Sequence, residues 1–215
     1  MRIDIFSDTI CPWCYLGKRR LQLAVAARPQ YEISMTWRPF ELNPDTPLAG
    51  VDRATHLAAR GGDAALAAEA QTQLERMGLA SGIQFRFDLM TRIPNSRRSH
   101  LLIAYAARSG LQAEVKDRIL RAYFEEGRDI GEVEELAQIA ADVGLRADEV
   151  RRALIVRAGQ DGVVAAERHA QVMGITSVPT FIFEGQYTLS GAQEVGVFAQ
   201  VLDQVAELAG AKLSP

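Results

Sequence analysis

The 215-residue chain carries 24 basic and 27 acidic residues, a formal net charge of −3, with 48% hydrophobic and 24% charged residues. That balance is ordinary for a globular protein and supplies no electrostatic footprint for nucleic acid or an anionic membrane surface, so neither is expected as a partner. No run approaches the roughly 18 uncharged apolar residues of a membrane span, and Asp4 and Asp8 interrupt any signal-peptide core, so a cytoplasmic location is expected.

Arg2 to Ser7, rich in Ile and Phe, reads as a strand, and Pro12 to Arg28 reads as a helix with Leu16, Leu21, Leu23, Ala24 and Ala27 on its apolar surface. Lys18, Arg19 and Arg20 interrupt that surface and are expected on a solvated face. Cys11 and Cys14 are the only cysteines, and they stand where the strand hands over to the helix. Pro12 suits the first helical position, where a missing N–H is harmless. Cys11 therefore sits at the helix N-terminus, where unpaired N–H groups and the helix dipole favour a thiolate. Side chains three apart share a helix face, so the two sulfurs can reach disulfide geometry, with Cys14 the deeper, resolving thiol. Two inert buried cysteines and half a zinc site are the competing readings. The strand, proline and helix context favours redox chemistry, and His56, His100 and His169 are isolated from the pair, so no metal is expected. Trp13 either contacts substrate or packs in the core. Asp4 reads as solvent-facing and Asp8 as a loop or capping residue, in preference to a carboxylate proton relay to the second cysteine.

Glu32 to Phe40 holds a second strand, where Ile33, Met35 and Trp37 alternate with polar neighbours. The resulting strand-helix-strand unit prefers a right-handed parallel crossover. Asn43-Pro44-Asp45-Thr46-Pro47 is a turn-rich exit, and helical signals dominate afterwards. Asp63 is expected to cap a helix through Leu66, Ala70 and Leu74 to about Met77, with Gly78 its terminator. Ile83 to Leu89 is expected as an extended connector. Asn95 or Ser96 starts a helix ended by Gly110, and further helices follow near 113–126, 132–143, 148–158 and 162–173, punctuated by Gly127, Gly144, Gly159 and Gly174. Strand chemistry returns with Thr180 to Phe183 and Tyr187 to Ser190, a hairpin turning at Glu184-Gly185-Gln186, before an amphipathic helix from Gln193 to Leu208. Joined in space, the two ends of the chain form one sheet bearing helices, interrupted by a helical insertion.

Asp8 to Gly17, Ile93-Pro94-Asn95-Ser96, Tyr123 to Ile130, Ser177-Val178-Pro179-Thr180-Phe181 and Ser190-Gly191-Ala192-Gln193 together resemble the DsbA-like thioredoxin-fold family, in its FrnE-type branch. The resemblance implies an α/β thioredoxin-like fold, strand-helix-strand plus strand-strand-helix. Residues 1–45 and 175–215 would form the thioredoxin-like domain and 46–174 an inserted all-helical domain. It also implies that Pro179 is cis and lies against the sulfurs, and that the Val178 backbone pairs with an extended peptide or glutathione beside Cys11. Such main-chain pairing tolerates varied side chains. The implied activity is thiol-disulfide exchange, with Cys11 attacking and Cys14 resolving, supported by Pro12, Trp13 and Pro179. No bound cofactor is expected; protein or small-molecule thiols, glutathione among them, are the partners, and the insert suits a homodimer contact. The periplasmic oxidant of the family has a histidine between its cysteines, so the uncharged Pro12-Trp13 pair implies a less oxidising couple.

The wider family includes glutathione-dependent hydroxychromene carboxylate isomerases and kappa-class glutathione transferases, in which serine replaces the first cysteine. Cys11 and Cys14 depart from that pattern. Asn95 resembles the asparagine those enzymes place near substrate, and as a residue in its own right it reads as a helix N-cap. A non-catalytic chaperone or biosynthetic partner is the third reading. Tyr15 and Phe40 are further groove candidates by proximity.

Overall fold

In the computed structural model, which describes residues 1–59, 61 and 64–211, one sheet of four strands is assembled from the two ends of the chain. β1 (Arg2–Ser7) pairs in parallel with β2 (Ser34–Pro39) and antiparallel with β5 (Thr180–Phe183), which pairs antiparallel with β6 (Tyr187–Ser190). The order is β2-β1-β5-β6. With α1 (Pro12–Ala26) between β1 and β2, and α9 (Val195–Ala211) after β6, the expected strand-helix-strand and strand-strand-helix halves meet in one sheet.

The register fixes the two faces. Ile3 is opposite Phe183 and Ile5 opposite Phe181, and residues directly opposite share a face. All four are fully buried, under α1 and α9: the Phe181 and Phe198 rings meet edge-on at 4.9 Å. The alternate residues Phe6 and Ile182 point the other way, into a smaller cluster with Ala170 and Ile175, against which Phe40 and Val178 pack. The β2 edge is closed by a side chain, since Gln112 accepts from Trp37 N at 2.9 Å and donates to Trp37 O at 3.3 Å. Unpaired edge groups are thereby satisfied.

Between the halves lie β3 (Val51–Asp52), α2 (Arg53–Ala59), α3 (Ala64–Ala80), β4 (Arg92–Ile93), α4 (Arg97–Ala107), α5 (Gln112–Phe124), α6 (Val133–Asp142), α7 (Ala147–Ile155) and α8 (Gln160–Val172). The insertion is helical apart from the two-residue β3–β4 ladder, which has too few residues to show period-two alternation. The expected cap Asp63 lies outside the described residues. Gly78 does not end α3, which continues to Ala80. A Cβ at Gly78 would stand 2.6 Å from Phe85 Cδ2, and the turn comes at Gly82, whose φ is +77°. Glycine at 78 thus serves a close helix-to-ring approach, and glycine at 82 the left-handed turn. Residues 83–89 form the expected connector, and they carry Ile83, Phe85 and Phe87 into the core. Phe85 stacks on Phe87 at 5.1 Å and meets Tyr15 edge-on at 5.9 Å. One hydrophobic cluster runs from Ile3, Leu16 and Phe181 through Phe85 and Phe124 to Leu136 and Val150. Among the described residues, no helix is long and apolar enough to cross a membrane.

The basic cluster of α1 corrects the expectation of a solvated face. Lys18 and Arg20 are buried. Lys18 pairs with Asp117 of α5 and donates to Gln22 at 3.2 Å, and Arg20 pairs with Glu194 at 2.8 Å and donates to Ala192 O at 2.8 Å. The insertion covers Lys18 and the segment leading into α9 covers Arg20, so both are paired, as burial of charge demands.

Candidate active site

The turn from β1 into α1 puts Cys11 at the helix N-cap with extended backbone (φ −95°, ψ 111°) and Pro12 in the first turn. Cys11 Sγ accepts from Cys14 N at 3.3 Å, while Cys11 O accepts from Cys14 N at 3.0 Å and Tyr15 N at 3.3 Å. Sulfur occupies the place a serine or aspartate oxygen takes in an ordinary cap. Both cysteines are free thiols and almost completely covered, Cys11 at 3% and Cys14 at 1% exposure, whereas Trp13 is 43% exposed. Of the two readings of Trp13, core packing is therefore excluded.

Across the site, the Cys11 thiol donates to Val178 O at 3.9 Å. The Val178–Pro179 peptide bond is cis, and Pro179 is buried against α1. A Cβ added at Gly17 would stand 3.0 Å from Pro179 Cγ and 3.2 Å from Phe181 Cζ. Gly17 thus lets α1 and the Pro179 turn close on each other. Cys11, Pro12, Trp13, Cys14, Val178 and Pro179, scattered over both ends of the chain, form one constellation. Asn95 belongs to another layer. It is buried at the start of α4, donating to Thr46 O at 2.7 Å and accepting from Arg97 N at 3.0 Å. Ser96 occupies the N-cap position without a capping side-chain bond. Tyr15 is buried and bonded to Glu125, so it supports α1 rather than lining a groove; half-buried Phe40 packs behind the sheet.

A polar layer joins the turn before the cysteines to the insertion. Asp8 is fully buried, and its carboxylate accepts from Thr9 N at 2.6 Å and Leu42 N at 2.7 Å, with His100 Nε2 at 3.3 Å. It is the loop residue expected. Thr9 and Ser99 hydroxyls meet at 2.6 Å, and Ser99 donates to Ser96 O at 2.7 Å. These bonds stitch the Asp8–Ile10 turn to the first turn of α4. His100 and Ser99 carry no recognisable spacing to the cysteines in the sequence, so pattern alone does not find them.

Electrostatics separates the two thiols. A hydrogen bond from the Cys14 thiol outweighs burial and, with the Cys14 and Trp13 backbone N–H groups, holds Cys11 below the ordinary thiol range. Burial pushes Cys14 well above it, and the Cys11 thiolate adds to the effect. Burial also opposes ionisation of Asp8, but His100 and the Leu42 N–H more than compensate and keep it a carboxylate. The arrangement suits Cys11 to nucleophile and leaving-group chemistry and Cys14 to staying protonated until needed. No group of three or more His, Cys, Asp or Glu among the described residues has the arrangement to hold a metal.

Residues 2–203 match the family model for the DSBA-like thioredoxin domain. The crystal structure of a probable DsbA oxidoreductase from Streptomyces coelicolor superposes with a TM-score of 0.88 at 33% identity, covering 100% of this chain and 92% of that one. A 2-hydroxychromene-2-carboxylate isomerase shares the fold, with a TM-score of 0.74 at 18% identity and full coverage of both chains. So does the cytosolic disulfide reductase DsbM of Pseudomonas aeruginosa with glutathione, at 0.66 and 22% with 98% of each chain covered. On the family match and the shared geometry, the chain belongs to the DsbA-like thioredoxin-domain family.

Proposed function

We propose that the protein is a thiol-disulfide oxidoreductase of the FrnE type, working through the Cys11-Pro12-Trp13-Cys14 motif. The observation that carries this reading is Cys11 Sγ in place of a capping oxygen on α1, bonded by Cys14 N–H, with the second thiol buried three residues on. Cys11 thiolate attacks a substrate disulfide and forms a mixed disulfide; Cys14 then displaces the substrate thiolate and closes the Cys11–Cys14 bond. The reverse sequence delivers a disulfide to a dithiol.

Val178 supports main-chain pairing of the substrate, because its carbonyl already faces Cys11 Sγ. Exposed Trp13 offers an apolar platform at the mouth of the site. Glutathione is the small thiol this reading favours, a choice supported by its presence on the same fold in DsbM. The reaction is placed in the cytoplasm, where a disulfide is more often transient and catalytic than structural.

Reduction of insulin coupled to glutathione tests the reading. Wild type should turn over, Cys11→Ser should fall to background, and Cys14→Ser should accumulate mixed disulfides. Equal rates for wild type and Cys11→Ser would sink it.

A further inference from the structure

Lys116, on α5, is a buried cation of a different kind from Lys18 and Arg20. It is 1% exposed, yet among the described residues it has no hydrogen bond or ion pair, and its ammonium lies 5.7 Å from the centre of the Trp37 ring. Burying an unpaired ammonium is costly, and the face of an aromatic ring offsets only part of that cost. Burial lowers the Lys116 pKa to about 8, which still leaves roughly nine-tenths of the side chain charged at pH 7. Among the groups whose charge acts on it, Cys14 is kept protonated by burial and Asp8 is committed to Thr9, Leu42 and His100. Neither of these, nor Cys11, is hydrogen-bonded to it.

Beside Lys116 is a cavity of about 30 Å³, lined also by Ser7, Trp37, Arg38, His100 and Gln112 and by no carboxylate. Ser7 Oγ and Trp37 Nε1 are both buried with no hydrogen-bond partner among the described residues. An ammonium and an indole N–H can only donate. The Gln112 side-chain oxygen is taken by Trp37 N, and the Arg38 guanidinium is paired with Asp4 at 2.8 Å. The lining is therefore rich in free donors. A cavity of that size has room for roughly two waters, so it is too small for phosphate, sulfate or a carboxylate-bearing ligand. A halide, only slightly larger than water, fits.

We propose that this cavity is a binding site for a small monovalent anion of the halide class, chloride first, held by the Lys116 ammonium, the Trp37 indole N–H and the Ser7 hydroxyl. Water would satisfy the two orphaned groups but not the buried charge; an anion answers both needs. The site stands apart from the cysteine chemistry. Ser7 belongs to β1, Trp37 to β2 and Lys116 to α5, so the anion ties the sheet to the insertion. A ligand bound only by the folded chain raises its stability in proportion to the logarithm of its concentration once the site is filled. Chloride therefore acts as a structural ligand of the folded protein.

Thermal unfolding of the full chain at pH 7, with sodium chloride substituted stepwise for sodium gluconate at constant ionic strength, tests the proposal, because charge screening is then held fixed. Wild type should gain about 2–4 °C in Tm as chloride replaces gluconate. Bromide should act in place of chloride, and Lys116→Met should lose the gain. Wild-type crystals grown in sodium bromide should show an anomalous bromide peak in the cavity, beside Lys116 Nζ and Trp37 Nε1. Equal melting temperatures in the two salts, a gain that Lys116→Met retains in full, or a cavity holding water alone in the bromide crystals overturns the proposal. Where Lys116→Met does not fold, the wild-type crystals decide: a bromide peak in the cavity supports the site, and its absence overturns it.

Discussion

At the scale of single residues, the site works by giving two identical side chains opposite environments. Cys11 caps a helix and receives hydrogen bonds; Cys14, three residues on, is pressed into the interior. The residues between them set the remaining electrostatics, and neither Pro12 nor Trp13 carries charge. Because Trp13 is largely exposed, a histidine there can be placed without disturbing the core. Its imidazolium would stabilise Cys11 thiolate, hence the reduced form, and raise the potential. Trp13→His is expected to shift the redox equilibrium with glutathione by about 30 mV, roughly 1.4 kcal/mol. The shift should be larger at pH 6 than at pH 8, since free histidine titrates near 6.5. An unchanged equilibrium at both pH values would remove the electrostatic explanation.

At the scale of elements, the site depends on how closely α1 meets the Pro179 turn. Gly17 has Pro179, Phe181 and Ala192 within 3.3 Å of where a Cβ would be. A β-branched side chain has no room there. Gly17→Val should destabilise the fold by about 1–3 kcal/mol, the usual cost of overpacking, and lower insulin reduction more than a comparably destabilising change far from the sulfurs. A variant with wild-type stability and activity would show that α1 is free to retreat. The same packing explains the buried basic residues: α1 is covered by α5 at Lys18 and by the segment before α9 at Arg20, so both face partners in place of water.

At the scale of the molecule, the insertion bonds the Asp8–Thr9 turn through His100 and Ser99 and shares one hydrophobic cluster with the sheet. A second ionic layer joins α8 to the segment leaving β2. Buried Glu41 is bonded to Arg97, which lies 3.7 Å from Glu167. Burial first, then the charge of Glu41, pushes Glu167 up to about 7 against the pull of Arg97. A carboxyl raised in the folded state binds its proton more tightly there than in the unfolded chain. Its stabilisation is present below pH 4.5 and lost as pH rises through about 7. Glu167→Gln should therefore flatten the urea stability profile between pH 5 and 8, a difference of about 1 kcal/mol after allowing for solvent screening. Parallel profiles for the two proteins would contradict the assignment. What was legible in the sequence follows from the same geography. β1, β5 and β6 and the cysteine pair could be read because their signals are local: short apolar runs, a hairpin turn, and a cysteine before a proline. The burial of Lys18, Arg20, Lys116 and His100 could not be read, because it depends on segments far apart in the sequence being brought together. The helix-end role of Gly78 was misread because an aromatic ring from the connector needs the space. A local pattern does not distinguish that need from a terminator.

The pH dependence of Cys11 alkylation by iodoacetamide tests the central claim most directly. Cys11 in the reduced native protein should react with a midpoint clearly below the roughly 8.5 of a free thiol, while Cys14 stays unmodified until the chain is unfolded. A Cys11 that titrates as a free thiol, or a Cys14 that reacts alongside it, would contradict the division of roles between the two sulfurs.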